Sequence, residues 1–143
     1  WLIVLAEIAS RALSPAVNDP GTAISVLGRL VGILSRWRPA EEVEVLYPHL
    51  YVAPIDPRDT MEDAFRPIAR DGAGIIEVQL RLQAAYRALR DTAPEVFAET
   101  ATAASRTALE RAETANLRPA EVAELREVAI ATPAQTSGAG EGP

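Results

Sequence analysis

The 143-residue chain has no cysteine, no lysine and a single histidine, His49. Without thiols there is no disulfide framework, no cysteine nucleophile and no cysteine-based zinc site, and one imidazole cannot make a histidine-rich metal cluster. Aromatic residues are only 5% of the chain. The apolar opening, Trp1-Leu2-Ile3-Val4-Leu5-Ala6, falls short of the ~20 residues that a membrane-spanning helix needs. It also lacks the basic start and small-residue cleavage site of a secretory signal. All 14 basic residues are arginine against 20 acidic residues, a formal net charge of −6. That balance argues against a nucleic-acid partner, because phosphate-backbone binding rests on clustered positive charge.

What the chain does contain is alanine, 27 residues of it, within a composition that is 48% hydrophobic and 24% charged. Such a composition fits one soluble globular domain of helices packed closely through small side chains. A chain of this length buries about two-thirds of its extended surface on folding, enough for a core without staples.

Hydrophobic spacing predicts a mainly α fold, a bundle of five to six helices with a possible small β-hairpin between helices two and three. Helix one runs from Leu2 to Leu13, with Leu2, Leu5, Ile8, Ala9, Ala12 and Leu13 inward and Glu7 and Arg11 paired on the other face. After Ser14-Pro15-Ala16-Val17-Asn18, Asp19 suits an N-cap and Pro20 the first helical position, starting helix two, which should reach about Arg38. Its only charges are Arg29, Arg36 and Arg38, so it should be largely buried. Gly21, Ser25, Gly28, Gly32 and Ser35 form a small-residue stripe along it. The simpler reading is a neighbouring helix crossing there inside the domain; the sharper one is a membrane or oligomer contact, which Arg29 makes costly in a bilayer.

Glu42 to Tyr47 and Leu50 to Ala53 carry the strand-like patterns of the hairpin. Thr60 and Asp63 resemble a capping box for helix three, about Thr60 to Arg70, with a kink or early stop at Pro67. Helix four spans Ile75 to Arg90, and Thr92 with Glu95 suggests a box opening helix five, to about Ala115. Helices four and five should pair as a hairpin, a last helix starts at Pro119, and residues 132–143 read as a disordered tail after a single domain over 1–131.

Chemistry is sparse. Ser14, Asn18, Asp19 and Thr22 gather at a turn leading into a helix, with Arg11 one turn upstream; capping and turn formation account for them, and a ligand or ion role is the alternative. His49 has no base, nucleophile or metal partner in the pattern, and Asp56, Asp59, Glu62 and Asp63 suit the positive end of a helix. Gly72-Ala73-Gly74 lacks the lysine of a phosphate loop. No catalytic constellation, cofactor motif or metal site is expected.

The stretch Ala12-Leu13-Ser14-Pro15, two residues, Asn18-Asp19-Pro20, one residue, Thr22-Ala23 resembles the hallmark segment of a bacterial predicted membrane protein family of unknown function, DUF2254. Leu27-Gly28-Arg29-Leu30 and Ala64-Phe65-Arg66-Pro67-Ile68 are similar to later parts of that family, with compatible element order to about Asp91. The resemblance implies transmembrane helices preceding a soluble region of this kind, with no established activity. It assigns motif membership, not catalysis, to Ser14, Pro15, Asn18, Asp19, Pro20 and Thr22.

The resulting expectation is a fragment of a longer inner-membrane protein. In it this soluble, cytoplasmic domain is a non-enzymatic structural, assembly or regulatory module that self-associates. The alternative is a ligand- or ion-sensing domain using the Ser14–Thr22 loop.

Overall fold

The computed structural model describes residues 1–38, 49–51 and 53–130. Among them are six helices and no strand: α1 (Leu2–Ala12), α2 (Pro20–Leu34), α3 (Pro57–Asp71), α4 (Ile76–Thr92), α5 (Pro94–Glu113) and α6 (Pro119–Val128). The expected hairpin is not supported. Leu50, Tyr51 and Ala53 of its second strand are exposed and carry no strand, while its first strand, Glu42 to Tyr47, lies outside the described residues. The tail expected over 132–143 lies outside them too.

Helix starts follow local chemistry. Pro20, Pro57, Pro94 and Pro119 each occupy the first turn of their helix, where a missing N–H leaves no intrahelical bond unmade. Asp19 caps α2 as the spacing predicts, its side chain accepting from the Thr22 backbone N–H at 3.1 Å. Two expected capping boxes are corrected. Asp56, not Thr60, caps α3 by accepting from the Arg58 N–H at 2.7 Å, and the Thr60 hydroxyl donates to the Asp56 carbonyl instead. Thr92 donates back to the Ala88 carbonyl and so closes α4, leaving Ala93 as the cap of α5. Pro67 does not end α3: Met61, Ala64, Phe65, Ile68 and Ala69 make one buried face that runs past it.

The core is one cluster around α4, which packs against α2, α5 and α6, while α3 closes the other side against α1 and α5. Phe65, Tyr86 and Phe97 are its largest members, joined by Leu27, Leu30, Leu34, Met61, Ile68, Leu82 and Leu89. As expected, α4 pairs with α5, and alanines at 101, 108 and 112 bring the two backbones close. Ser105 is buried on that face too.

The α1–α2 pair departs most from the pattern. Ile8, expected inward, is 46% exposed, and Ala6 is buried in its place. α2 ends at Leu34 rather than Arg38 and is buried on one face only, through Ala23, Val26, Leu27, Leu30 and Leu34. Gly21, Ser25, Gly28 and Gly32 face outward, and a Cβ placed on Gly28 or Gly32 would meet nothing within 4 Å. Among the described residues no helix crosses that stripe. The wide leucine and valine face, rather than the glycines, wins the core because it buries more apolar area.

Candidate functional site

Between the outer end of α1, the following turn and α3 lies an open cleft of about 750 Å³. Glu7, Ser10, Arg11 and Ser14 line one wall, and Asp63, Pro67, Arg70 and Asp71 the other. The wall from α1 is set by the turn that ends it. The backbone N–H groups of Val17 and Asn18 donate to the Ser14 carbonyl at 3.0 and 2.8 Å, and the Asp19 N–H returns to the Ala12 carbonyl at 2.8 Å. Asn18 takes a left-handed φ of 48°, which asparagine tolerates better than most residues. The chain thereby reverses within a few residues and presents Ser14 to the cleft while Asp19 starts α2.

The opposite wall depends on Asp71, the last residue of α3. A carboxylate is unfavourable at the negative end of a helix. Two partners offset this: Arg70 Nε donates to Asp71 Oδ1 at 2.6 Å, and the Ser10 hydroxyl donates to Oδ2. The Arg70 hydrogen bond, supported by that from Ser10 and opposed by partial burial, holds the Asp71 carboxyl below its ordinary range. The Ser10–Asp71 bond ties α1 to α3 across 61 residues of sequence.

Of the five residues singled out from sequence, the structure brings Arg11 and Ser14 into this cleft. Asn18, Asp19 and Thr22 do not line it. Asp19 is committed to its cap: the Thr22 hydroxyl donates to Oδ2 at 2.6 Å, and this bond, followed by that from the Thr22 N–H, lowers the Asp19 pKa. The expected Glu7–Arg11 pair does not form an ion pair; both side chains are exposed in the cleft. Ser10, Arg70 and Asp71 were not singled out from sequence. Their only local trace is the spacing of Asp63, Pro67 and Arg70 along one face of α3, which says nothing of the helix opposite. Among the described residues no group of three or more His, Cys, Asp or Glu side chains could hold a metal ion.

The two walls are the two segments whose motifs stand out in the sequence, the Ser14-Pro15 turn and the Phe65-Arg66-Pro67 helix. A family model described as "Predicted membrane protein (DUF2254)" matches residues 1–88, which takes in both. The chain belongs to the DUF2254 family. The match covers α1 to α3 and most of α4, so the cleft lies wholly within the family region of the chain. No curated protein and no solved structure matches the chain. Among the described residues of this DUF2254 chain, no helix is long and apolar enough to cross a membrane.

Proposed function

We propose that this DUF2254 chain is a non-enzymatic assembly module of a membrane protein, associating with further copies of itself through the outer face of α1 and α2. One observation carries the reading. The hairpin of α1 and α2 leaves Val4 and Ile8 exposed four residues apart on α1, while α2 turns Gly28 and Gly32 to open space. Contiguous exposed apolar surface marks interaction sites, small residues allow close helix approach, and symmetric self-contacts are the commonest way to bury such a face. The family description supports a membrane protein, and in this reading the module is attached through other parts of a longer protein and lies on the cytoplasmic side of the inner membrane.

Light scattering over a concentration series tests this. The reading expects a dimer or larger oligomer that Ile8→Arg dissociates, with helical content retained. A strictly monomeric chain at several hundred micromolar would overturn it.

A second reading has its own support. Glu7, Arg11 and Asp63 line the α1–α3 cleft without an ion-pair partner among the described residues, an arrangement suited to a small ligand bearing both charges. In this sensing role Arg11 and Ser14 contact the ligand, and Asp19 holds the turn that presents them. A thermal-shift screen of amino acids and inorganic ions distinguishes it: stabilisation lost in Arg11→Gln supports the reading, and no response to any compound sinks it.

A further inference from the structure

Charge is unevenly divided along this acidic chain. Residues 1–38 hold four arginines against Glu7 and Asp19, a net +2, while the remaining ten arginines and 18 acids leave −8 on the rest. From Pro20 to Arg38, over α2 and the turn that closes it, there is no acidic residue and there are three arginines, Arg29, Arg36 and Arg38. That local excess runs against the sign of the whole molecule.

The fold turns all three outward. Val26, Leu27, Leu30 and Leu34 hold the opposite face of α2 in the core, so Arg29, Ile33 and Arg36, spaced by four and three residues, stay exposed in the row beside Gly28 and Gly32. Ile33, between the two arginines, is 46% exposed. The Arg36 and Trp37 backbone N–H groups donate to the Ile33 and Leu34 carbonyls at 3.2 and 2.9 Å, which continues the winding past the end of α2. The Arg38 guanidinium donates to the Ser35 and Trp37 carbonyls at 3.2 and 2.8 Å and is thereby fixed at the same end. None of the three arginines has a carboxylate partner among the described residues, and none lines the α1–α3 cleft.

We infer that this arginine row docks the module on an anionic lipid bilayer, the guanidinium groups taking headgroup phosphates and Ile33 resting at the interface. Charge complementarity selects the occupant, since guanidinium groups pair with phosphate oxygens through two parallel N–H donors. Arg29 and Arg36 stand on a convex helix face about 10 Å apart along its axis, a spacing that suits a flat array of phosphates rather than one enclosed anion. A second copy would bring the same positive row, and a self-contact over the glycines leaves the arginines at its rim, where charge stays hydrated. The family description, a membrane protein, supplies a bilayer as the neighbouring surface. Each arginine near an anionic surface adds only about fivefold in partition, so the row orients the module rather than anchoring it. The inference rests on the membrane-protein family and not on self-association.

Co-sedimentation of the 143-residue chain with phosphatidylcholine vesicles containing increasing phosphatidylglycerol, at low ionic strength, tests the assignment. The expected result is binding that rises with the anionic fraction, is absent from pure phosphatidylcholine and is lost at high salt. The net charge of −6 by itself would exclude the chain from anionic vesicles, so binding reports the row. Arg29→Gln combined with Arg36→Gln should lower the partition coefficient by about 25-fold. Arg106→Gln combined with Arg126→Gln removes the same charge from α5 and α6 and should leave it nearly unchanged. A far-ultraviolet melt of each variant shows that it is folded. No binding to phosphatidylglycerol-rich vesicles, equal binding to pure phosphatidylcholine, or equal losses in the two double variants would each overturn the inference. A chain that is monomeric in light scattering and still binds the vesicles keeps this inference and loses the assembly reading; an oligomer that ignores the vesicles does the reverse.

Discussion

Gln83 on α4 and Ser105 on α5 exchange two hydrogen bonds inside the bundle: the Ser105 hydroxyl donates to Gln83 Oε1, and Gln83 Nε2 donates to the Ser105 carbonyl at 3.1 Å. Both residues are fully buried. The same hydroxyl accepts from the Ile130 backbone N–H at 3.0 Å, so one serine fastens α4, α5 and the segment that leaves α6. Buried polar groups are costly only when a partner is missing. Ser105→Ala leaves Gln83 Oε1 and the Ile130 N–H unpaired together. A loss of roughly 2–6 kcal/mol is expected in urea denaturation, the sum of two such penalties of about 1–3 kcal/mol each. Ser105→Thr, which keeps the hydroxyl, should cost less; equal losses in both variants would assign the effect to packing.

Gly72 sits where α3 turns into α4. A Cβ on it would lie 2.6 Å from Val78 Cγ1 and 3.0 Å from the Ile68 carbonyl oxygen. Val78 is itself fully buried and cannot move aside freely. Gly72→Ala should therefore destabilise the fold by about 1–3 kcal/mol, as overpacking does. A melting temperature equal to the parent's would contradict this close approach.

Gly28 and Gly32 make the opposite case. With nothing within 4 Å of either Cβ position, alanine fits, and the helix gains roughly 0.5–1 kcal/mol per site from its better propensity. The gain is expected at dilutions where the chain is monomeric. Leucine at both positions should instead block close helix approach and weaken the association seen by light scattering. Stabilisation by alanine with no effect of leucine on mass would leave the monomer geometry standing and remove the assembly face.

Asp71 links stability to acidity. Its folded pKa lies below the ordinary 3.8, chiefly through Arg70 and then Ser10. The contribution is fully present above that value and is lost as pH falls through the lower, folded one. Thermal melts between pH 6 and pH 2 should show a fall that is shallower in Asp71→Asn and, to a lesser degree, in Ser10→Ala. An identical slope in the parent chain and Asp71→Asn would exclude the carboxylate from the acid response.

The local elements of this protein were legible because their causes are local. Proline at a first turn, Asp19 three residues before Thr22, and apolar spacing on α4 each act within one or two helical turns. They yield the number and order of helices and even the α4–α5 pairing, since a short link leaves consecutive helices little choice. The misplaced caps of α3 and α5 are local too, contests between neighbouring side chains for the same backbone groups.

Which helix faces meet was not decided at that range. Ser10 and Asp71 are 61 residues apart, and nothing near either names the other. The glycine stripe of α2 turns outward because the leucine and valine face wins the place against α4, a competition for buried area settled only when α1, α3 and α4 are assembled around it. Composition and spacing determined a helical, acidic, thiol-free chain, and its motif segments, not its composition, tie it to the DUF2254 family. The cleft and the open face arise from long-range packing, where each helix offers several surfaces and the bundle can bury only some of them.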